Sequence, residues 1–317
     1  MIIAKERTDS NLFKGLKFLD KRTTLDEESR KQLINLKKGI KGEDLFDALV
    51  KKVLNKNVLV LHDLLLIHNG STFQIDSLLI TSSSIYLYEI KNYQGNFIND
   101  NGHFMTNSGK EINNPTTQLK RTETLLRKVL MDMDFDYEVK GYVVFTHPTF
   151  YLYQAVDSDP FIFSPQFESH FRSVNSQSRP LSTEHEYVSD TLIRLQREEA
   201  PYQKQLPDYT YQDFKKGINC SQCTSLNTRI TQRRAYCNEC GYEEELSKTI
   251  IQNMKQFRFL FPEKRLTSAL LFDWMGESVK MARLACILKK ECIRMGYSKG
   301  TYYIDKGKIE KESRFSG

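Results

Sequence analysis

The sequence predicts an α/β fold, a mixed sheet flanked by helices, followed by a small cysteine-rich module and a helical end. Three observations carry that expectation. Helical and strand-like apolar patterns alternate through the first half, two close cysteine pairs follow residue 216, and the C-terminal stretch is basic with helical periodicity. The chain has 317 residues, 39% of them hydrophobic, which suits a soluble globular protein of roughly two domains.

Residues 25–40 (LDEESRKQLINLKKGI) place acidic residues first and basic residues last, as a helix dipole prefers. Residues 42–54 read as a second helix, with Leu45, Leu49 and Val53 four apart and Phe46 beside them, facing a core. Three short apolar runs, 57–67, 73–80 and 85–91, are separated by His-Asn-Gly-Ser and Thr-Ser-Ser-Ser, so they read as a three-stranded meander. Asn114-Pro115 then supplies a cap and a proline at the first helical position, opening a helix through Leu125, Leu126 and Val129. Residues 141–146 (GYVVFT) form a further buried strand, and 160–163 another. From 164 to 211 the chain is polar and weakly periodic, with one helix expected over 188–198 and Pro201 and Pro207 marking its end. The expected divisions are an N-terminal helical extension at 1–40, a catalytic domain at 41–200, a linker at 201–216, a cysteine module at 217–245 and a basic helical module at 250–317.

Several classes are excluded. No run approaches the ~20 apolar residues of a membrane span, and residues 1–9 carry Lys5, Glu6, Arg7 and Asp9 where a signal peptide needs apolar residues, so the expected location is the cytoplasm, away from membranes. Six cysteines are too few for a disulfide scaffold at this length. The net charge of +6 is concentrated at the end, where residues 251–317 hold fourteen Lys and Arg against seven Asp and Glu. That excess fits nucleic acid as a partner, and it fits a solvated helical surface equally well.

The decisive geometry lies in the second and third strands. If Ile80 pairs with Ile85 across the loop 81–84, Asp76 falls opposite Glu89. Alternation puts Glu89 and Lys91 on one sheet face and Tyr86, Tyr88 and Ile90 on the other. Two carboxylates facing each other on buried strands are costly, and a divalent cation resolves the conflict. Oxygen donors suit Mg²⁺ or Mn²⁺, which keep open positions for water and phosphate, and that is phosphodiester chemistry. Lys91 could orient the attacking water or neutralise developing charge, and Glu43, at the start of the core helix, could reach the same ion. The plainer alternative is a Glu89–Lys91 salt bridge with Asp76 turned to solvent.

Gly42-Glu43, Gln74-Ile75-Asp76, Glu89-Ile90-Lys91-Asn92-Tyr93 and Asn114-Pro115-Thr116-Thr117-Gln118 occur in the order and contexts of the nuclease-related domain. Over about residues 40–146 the chain resembles that family, a branch of the PD-(D/E)xK superfamily. The resemblance implies a restriction-endonuclease-like fold, a metal bound by Asp76 and Glu89 with help from Glu43, Lys91 as the family lysine, and Gln118 as a glutamine near the site. Ile75 stands where the superfamily pattern has proline.

The second constellation is Cys220-x₂-Cys223-x₁₃-Cys237-x₂-Cys240, the spacing of a zinc ribbon. Tetrahedral Zn²⁺ takes four thiolates, each two-residue gap lets a turn present two sulfurs, and Gly241 relieves the second turn. Arg229, Arg233 and Arg234 lie in the spacer, available to phosphates or idle on a folding staple. Cys286 and Cys292 fall within a helical pattern over 279–295 and read as core or partly buried thiols. His62, His68 and His147 stand alone and are assigned no chemistry.

In the last module, helices over 266–275 and 279–295 joined by Gly276-Glu277-Ser278, then a strand over 300–304, resemble a helix-turn-helix with a small wing. The second helix would offer Lys280, Arg283, Lys289 and Lys290 to a DNA groove. A helical module for protein partners fits the same pattern. The combined expectation is a metal-dependent nuclease acting on DNA. The alternatives are a silent DNA-binding protein on a nuclease scaffold and a protein-interaction adaptor.

Overall fold

A computed structural model describes residues 1–55, 57–197 and 205–306. The chain forms two compact units, each assembled from two stretches of sequence: Met1–Ser10 with Ile34–Ala200, and Asn11–Leu33 with Pro201–Gly317. No helix among the described residues is long and apolar enough to cross a membrane.

In chain order the elements begin with β1 (Ile2–Lys5), then α1 (Asn11–Arg22), which belongs to the second unit, and α2 (Glu27–Val53). β2 (Leu59–His68), β3 (Ser71–Ile80) and β4 (Ser84–Lys91) form the meander, and β5 (Gly95–Asp100), β6 (His103–Thr106) and β7 (Glu111–Ile112) follow. The first unit closes with α3 (Pro115–Met131), β8 (Glu138–Phe145), β9 (Phe150–Tyr153), β10 (Phe161–Phe163), α4 (Phe167–Gln177) and α5 (Thr183–Leu195).

A six-stranded mixed sheet runs β1-β2-β3-β4-β8-β10, with the central meander antiparallel and β1, β8 and β10 joined in parallel. One face buries Leu59, Leu61, Leu78, Leu87, Val143 and their neighbours beneath Leu119, Leu126 and Val129 of α3 and Val188 and Leu192 of α5. The other face, with Val60, Leu79, Tyr86, Tyr88 and Ile90, is covered by Phe46 and Val50 of α2 and Phe167, Phe171 and Val174 of α4. A second sheet, β7-β6-β5-β9, adds Phe97, Phe104 and Phe150 to the first face.

Three expectations change here. Residues 25–40 and 42–54 belong to one continuous helix, because Gly42 in mid-helix keeps helical geometry and is needed for packing. A Cβ there would lie 2.5 Å from Asn92 Cβ and 2.7 Å from Thr146 Oγ1. Leu45 is 40% exposed, and the buried stripe of α2 runs instead through Phe46 and Val50. The polar stretch after 164 holds two helices, each anchored by few apolar residues: Phe167, Phe171 and Val174 on α4, and Val188 and Leu192 on α5.

The second unit contains β11 (Thr228–Ile230), β12 (Arg234–Cys237) and β13 (Glu243–Glu245), a three-stranded antiparallel ribbon. It continues with α6 (Leu246–Leu260), α7 (Ser268–Trp274), α8 (Met281–Glu291), β14 (Cys292–Met295) and β15 (Tyr302–Asp305). The helix expected over 279–295 therefore stops at Glu291, and its last residues turn into a strand paired with β15. Leu266, just before α7, bridges Tyr303 of β15, and the Tyr303 N–H donates to the Leu266 carbonyl at 2.9 Å. After α6 the order is thus an isolated bridge at Leu266, the helices α7 and α8, and the β14–β15 hairpin. Of the expected linker, residues 201–204 lie outside the described residues, and from 205 on Leu206 and Phe214 are buried in this unit. α1 joins the unit through Arg22, fully buried and stacked 3.9 Å from the centroid of Trp274, with hydrogen bonds to Gln256, Asn253 and the carbonyls of Lys215 and Gly217.

Candidate active site and zinc centre

The site in the first unit begins with a fault in the sheet. On β2, Leu59 and Leu61 face one core, and after Asp63 the same face is taken by Leu64 and Leu66. On β3 it passes from Phe73 and Ile75 to Leu78 and Ile80 across Asp76. Alternation along a regular strand has a period of two residues, so both strands change phase at facing positions, and Asp63 takes a left-handed φ of 52° there. The β3–β4 ladder has the register expected from its loop, Ile80 with Ile85 through Ser77 with Tyr88. Past that pair it lapses, and Asp76 Oδ2 accepts the Ile90 N–H at 2.8 Å.

Glu89, 3% exposed, lies at the end of β4, where Lys91 Nζ reaches its Oε1 at 2.6 Å. Lys91 also donates to Gln118 Oε1 of α3 at 3.2 Å. That helix starts as expected, with the Asn114 side chain accepting from Thr116 N and Pro115 in the first turn. The structure thus links Glu89, Lys91 and Gln118 by direct bonds and ties Asp76 to the same strand. The salt bridge of the plainer alternative is present, but Asp76 is turned to the β4 backbone.

Glu43 comes from α2, one residue after the close approach of Gly42 to Asn92 and Thr146. Its carboxyl is pushed up to about 7, first by burial and then by the charges of Asp76, Asp63 and Asp47, against the pull of Arg7. Glu89 is likewise pushed up to about 7 by burial and by Asp76. Asp76 is raised by burial. For Lys91, burial is outweighed by the charge of Glu89, and its ammonium is held above the ordinary value. Three carboxylates made less acidic by burial and by their neighbours form a donor set short of positive charge. Hard oxygen donors fit Mg²⁺ or Mn²⁺. Their oxygens are not all within 4.8 Å of one another; among the described residues the four cysteines are the only group of possible metal ligands that close.

Sequence reasoning did not find Arg7. β1 pairs in parallel with the start of β2, Ile2 with Leu59 and Ile3 with Val60, and delivers Lys5 and Arg7 to the faulted stretch. Lys5 Nζ donates to the carbonyls of His62 and Asp63 at 2.6 and 3.1 Å. Arg7 grips Asp47 with Nε and Nη2 and Asp63 with Nη1, and that same nitrogen lies 3.4 Å from Glu43 Oε2. The only signal was the short run Ile2-Ile3-Ala4 before two cations.

In the ribbon, Cys220, Cys223, Cys237 and Cys240 place their sulfurs within 4.8 Å of one another. Cys220 to Cys240 and Cys223 to Cys237 measure 3.7 and 3.5 Å. Tetrahedral zinc with Zn–S of about 2.3 Å needs sulfurs roughly 3.8 Å apart, whereas a disulfide would need about 2.05 Å. Thr224 and Gly241, each following the second cysteine of its pair, have φ of 62° and 72°, so the two turns are alike although only one has glycine. Arg229, Arg233 and Arg234 are all exposed, but Arg229 lies over the Tyr236 ring at 4.6 Å and Arg234 is paired with Glu243 at 2.9 Å.

On α8 and at its N-cap, Lys280, Lys289 and Lys290 are exposed and Arg283 is half-buried. Tyr297, at the hairpin tip, is 90% exposed. Cys286 is exposed on α8, contrary to expectation, while Cys292 is buried at the start of β14, because the buried stripe of α8 passes through Leu284, Ile287 and Leu288.

Neither the curated proteins nor the solved structures compared with this chain include a significant match. The stretch that holds Glu43, Asp76, Glu89, Lys91 and Gln118 matches the family model of the nuclease-related domain, over residues 38–146.

Proposed function

We propose that the chain is a metal-dependent nuclease of the PD-(D/E)xK type that hydrolyses phosphodiester bonds of DNA. The observation that carries this reading is the linked set Glu89, Lys91 and Gln118 beside Asp76, inside the stretch that matches the nuclease-related domain. Asp76 and Glu89, with Glu43, would hold Mg²⁺ or Mn²⁺. When bound, such an ion supplies Lewis-acid polarisation of phosphate and a more acidic water.

The remaining work falls to the chain's own groups. Asp76 is fixed by the Ile90 N–H, so one carboxylate oxygen is committed to the backbone and the other is left for the ion. Lys91, steadied by Glu89 and Gln118, presents an ammonium that can orient the attacking water and offset negative charge on the phosphate. Gln118 positions Lys91 from α3.

In the second unit the four cysteines would bind Zn²⁺ as a structural ion, which suits a reducing compartment such as the cytoplasm. Lys280, Arg283, Lys289 and Lys290 of the winged module would hold DNA, its second helix in the major groove. In the ribbon, Arg229 and Arg233 have no carboxylate partner among the described residues, whereas Arg234 is neutralised by Glu243. One observation favours a silent DNA-binding scaffold instead: Lys91 already neutralises Glu89 at 2.6 Å.

The test is cleavage of supercoiled, linear and single-stranded DNA with Mg²⁺ or Mn²⁺ by the wild type, Asp76→Ala and Lys91→Ala. Metal-dependent products absent from both variants support the nuclease. Equal inertness of all three, with salt-sensitive DNA binding intact, supports the scaffold.

A further inference from the structure

Arg7 lies outside the stretch that matches the nuclease-related domain, yet its guanidinium contacts three carboxylates within it, Glu43, Asp47 and Asp63. Its side chain is 11% exposed. Nε and Nη2 form a two-bond fork on Asp47 at 3.0 and 3.2 Å, Nη1 donates to Asp63 Oδ1 at 2.8 Å, and Nη1 stands 3.4 Å from Glu43 Oε2. His62 Nδ1, 3.2 Å from Ser77 Oγ, lies 3.3 Å from Nη2 and backs the fork.

A planar, permanently charged fork fixed on two carboxylates has little freedom left. Anchoring β1 does not require it, since the ladder to β2 and the two Lys5 bonds already do so. What Arg7 adds is a direction for Glu43, which has no other ion-pair partner among the described residues, and a charge balance. Five carboxylates, Glu43, Asp47, Asp63, Asp76 and Glu89, meet in this region. Lys91 answers Glu89, while Arg7 answers Asp47 and Asp63.

We infer that Arg7 is a positioning residue: it aims Glu43 at the site of Asp76 and Glu89, and it cancels Asp47 and Asp63 so that a divalent ion is drawn to the first three carboxylates alone. This rests on the nuclease reading. It extends the working site to residues 1–10, carried by an edge strand far upstream of the matched stretch.

The experiment measures Mn²⁺ binding by calorimetry and DNA cleavage in parallel, on the zinc-loaded full chain, with Asp76→Ala as the control that locates the ion. Arg7→Ala removes a cation and frees two carboxylates, so Mn²⁺ binds roughly fivefold tighter or in greater number. In the same variant kcat falls roughly 10- to 100-fold, because Glu43 loses its aim. Arg7→Lys keeps the charge and loses the fork, so Mn²⁺ affinity stays near that of the wild type while kcat is intermediate. A merely structural role would instead lower binding, activity and thermal stability together. Wild-type cleavage by a folded Arg7→Ala protein, or weaker Mn²⁺ binding in it, overturns the inference. Binding requires no turnover, so an inert wild type sinks the nuclease reading alone. The Mn²⁺ arm then decides: tighter binding in Arg7→Ala upholds the role of Arg7 and unchanged or weaker binding ends it.

Discussion

Burial pushes the carboxyls of Glu43 and Glu89 up to about 7 from the ordinary 4.5 of a glutamate. Burial is the first cause for both, and each is charged only against its neighbours. For a carboxyl raised on folding, the contribution to stability is complete below the unfolded value and lost as pH rises through the folded one. The ion-free protein should therefore lose thermal stability between about pH 5 and pH 8, and added Mn²⁺ should recover more of it at about pH 8 than at about pH 5.5. Thermal melts with and without Mn²⁺ check this, with Glu89→Gln expected to flatten both trends. A Mn²⁺ gain independent of pH would remove these carboxylates as ligands. At this scale much of the site was legible: the four-residue loop fixes the β3–β4 register, and that register brings Asp76 to β4. Arg7 was not legible, because nothing in a four-residue strand announces which other strand it will join, and the phase change at Asp63 and Asp76 breaks the alternation that sequence reading relies on.

Among the elements, the meander β2–β4, α3 and β8 were legible from their apolar patterns, whereas β5, β6 and β7 were not. β5, β6 and β7 have six, four and two residues, too few for periodicity to rise above a polar background, and their burial depends on Phe97 and Phe104 meeting the main sheet. The apolar pattern suggests two helices over 25–40 and 42–54, whereas α2 is continuous, and only the close approach of Gly42 to Asn92 and Thr146 shows why a glycine sits in mid-helix. The ribbon is the opposite case, since chemistry and not hydrophobicity organises it. Its three strands of three, four and three residues bury little apolar surface. Removing the ion should therefore unfold it. Elemental analysis should find about one zinc per chain, and Cys223→Ser should lose it and become protease-sensitive across the ribbon, with Mn²⁺ binding in the first unit retained. A ribbon equally protected without zinc would show that the thiols do not staple it.

On the scale of the whole molecule, each unit takes one piece from the beginning of the chain and one from later, so the expected 1–40 extension is divided between them. Sequence position alone could not show this, because α1 is recruited by Arg22 through Gln256 and Asn253, 234 and 231 residues away. The succession of two helices and a final strand was legible in outline, and the bridge from Leu266 to Tyr303 emerged only in three dimensions. If α8 holds duplex DNA, the Lys289→Ala, Lys290→Ala double variant, made in the Asp76→Ala chain, should bind about tenfold more weakly at moderate salt. Its salt dependence should be shallower by about one to two in logarithmic slope. Fluorescence anisotropy across a salt series reads both, and unchanged affinity would assign α8 to protein partners.

The main sheet ends on strands of four and three residues, β1 and β10. Beyond β1, the Arg197 N–H takes the Leu65 carbonyl on the same margin of β2, and Lys5 takes those of His62 and Asp63. Short and charged borders offer no template for a second sheet. A fragment cut at residues 38 and 146 would discard both borders and bare the ten-residue β2 and the eight-residue β8 as open, largely apolar rims. The residues flanking the nuclease-related stretch thus supply both borders of its sheet, and a fragment that keeps them begins at the N-terminal strand and runs through α5.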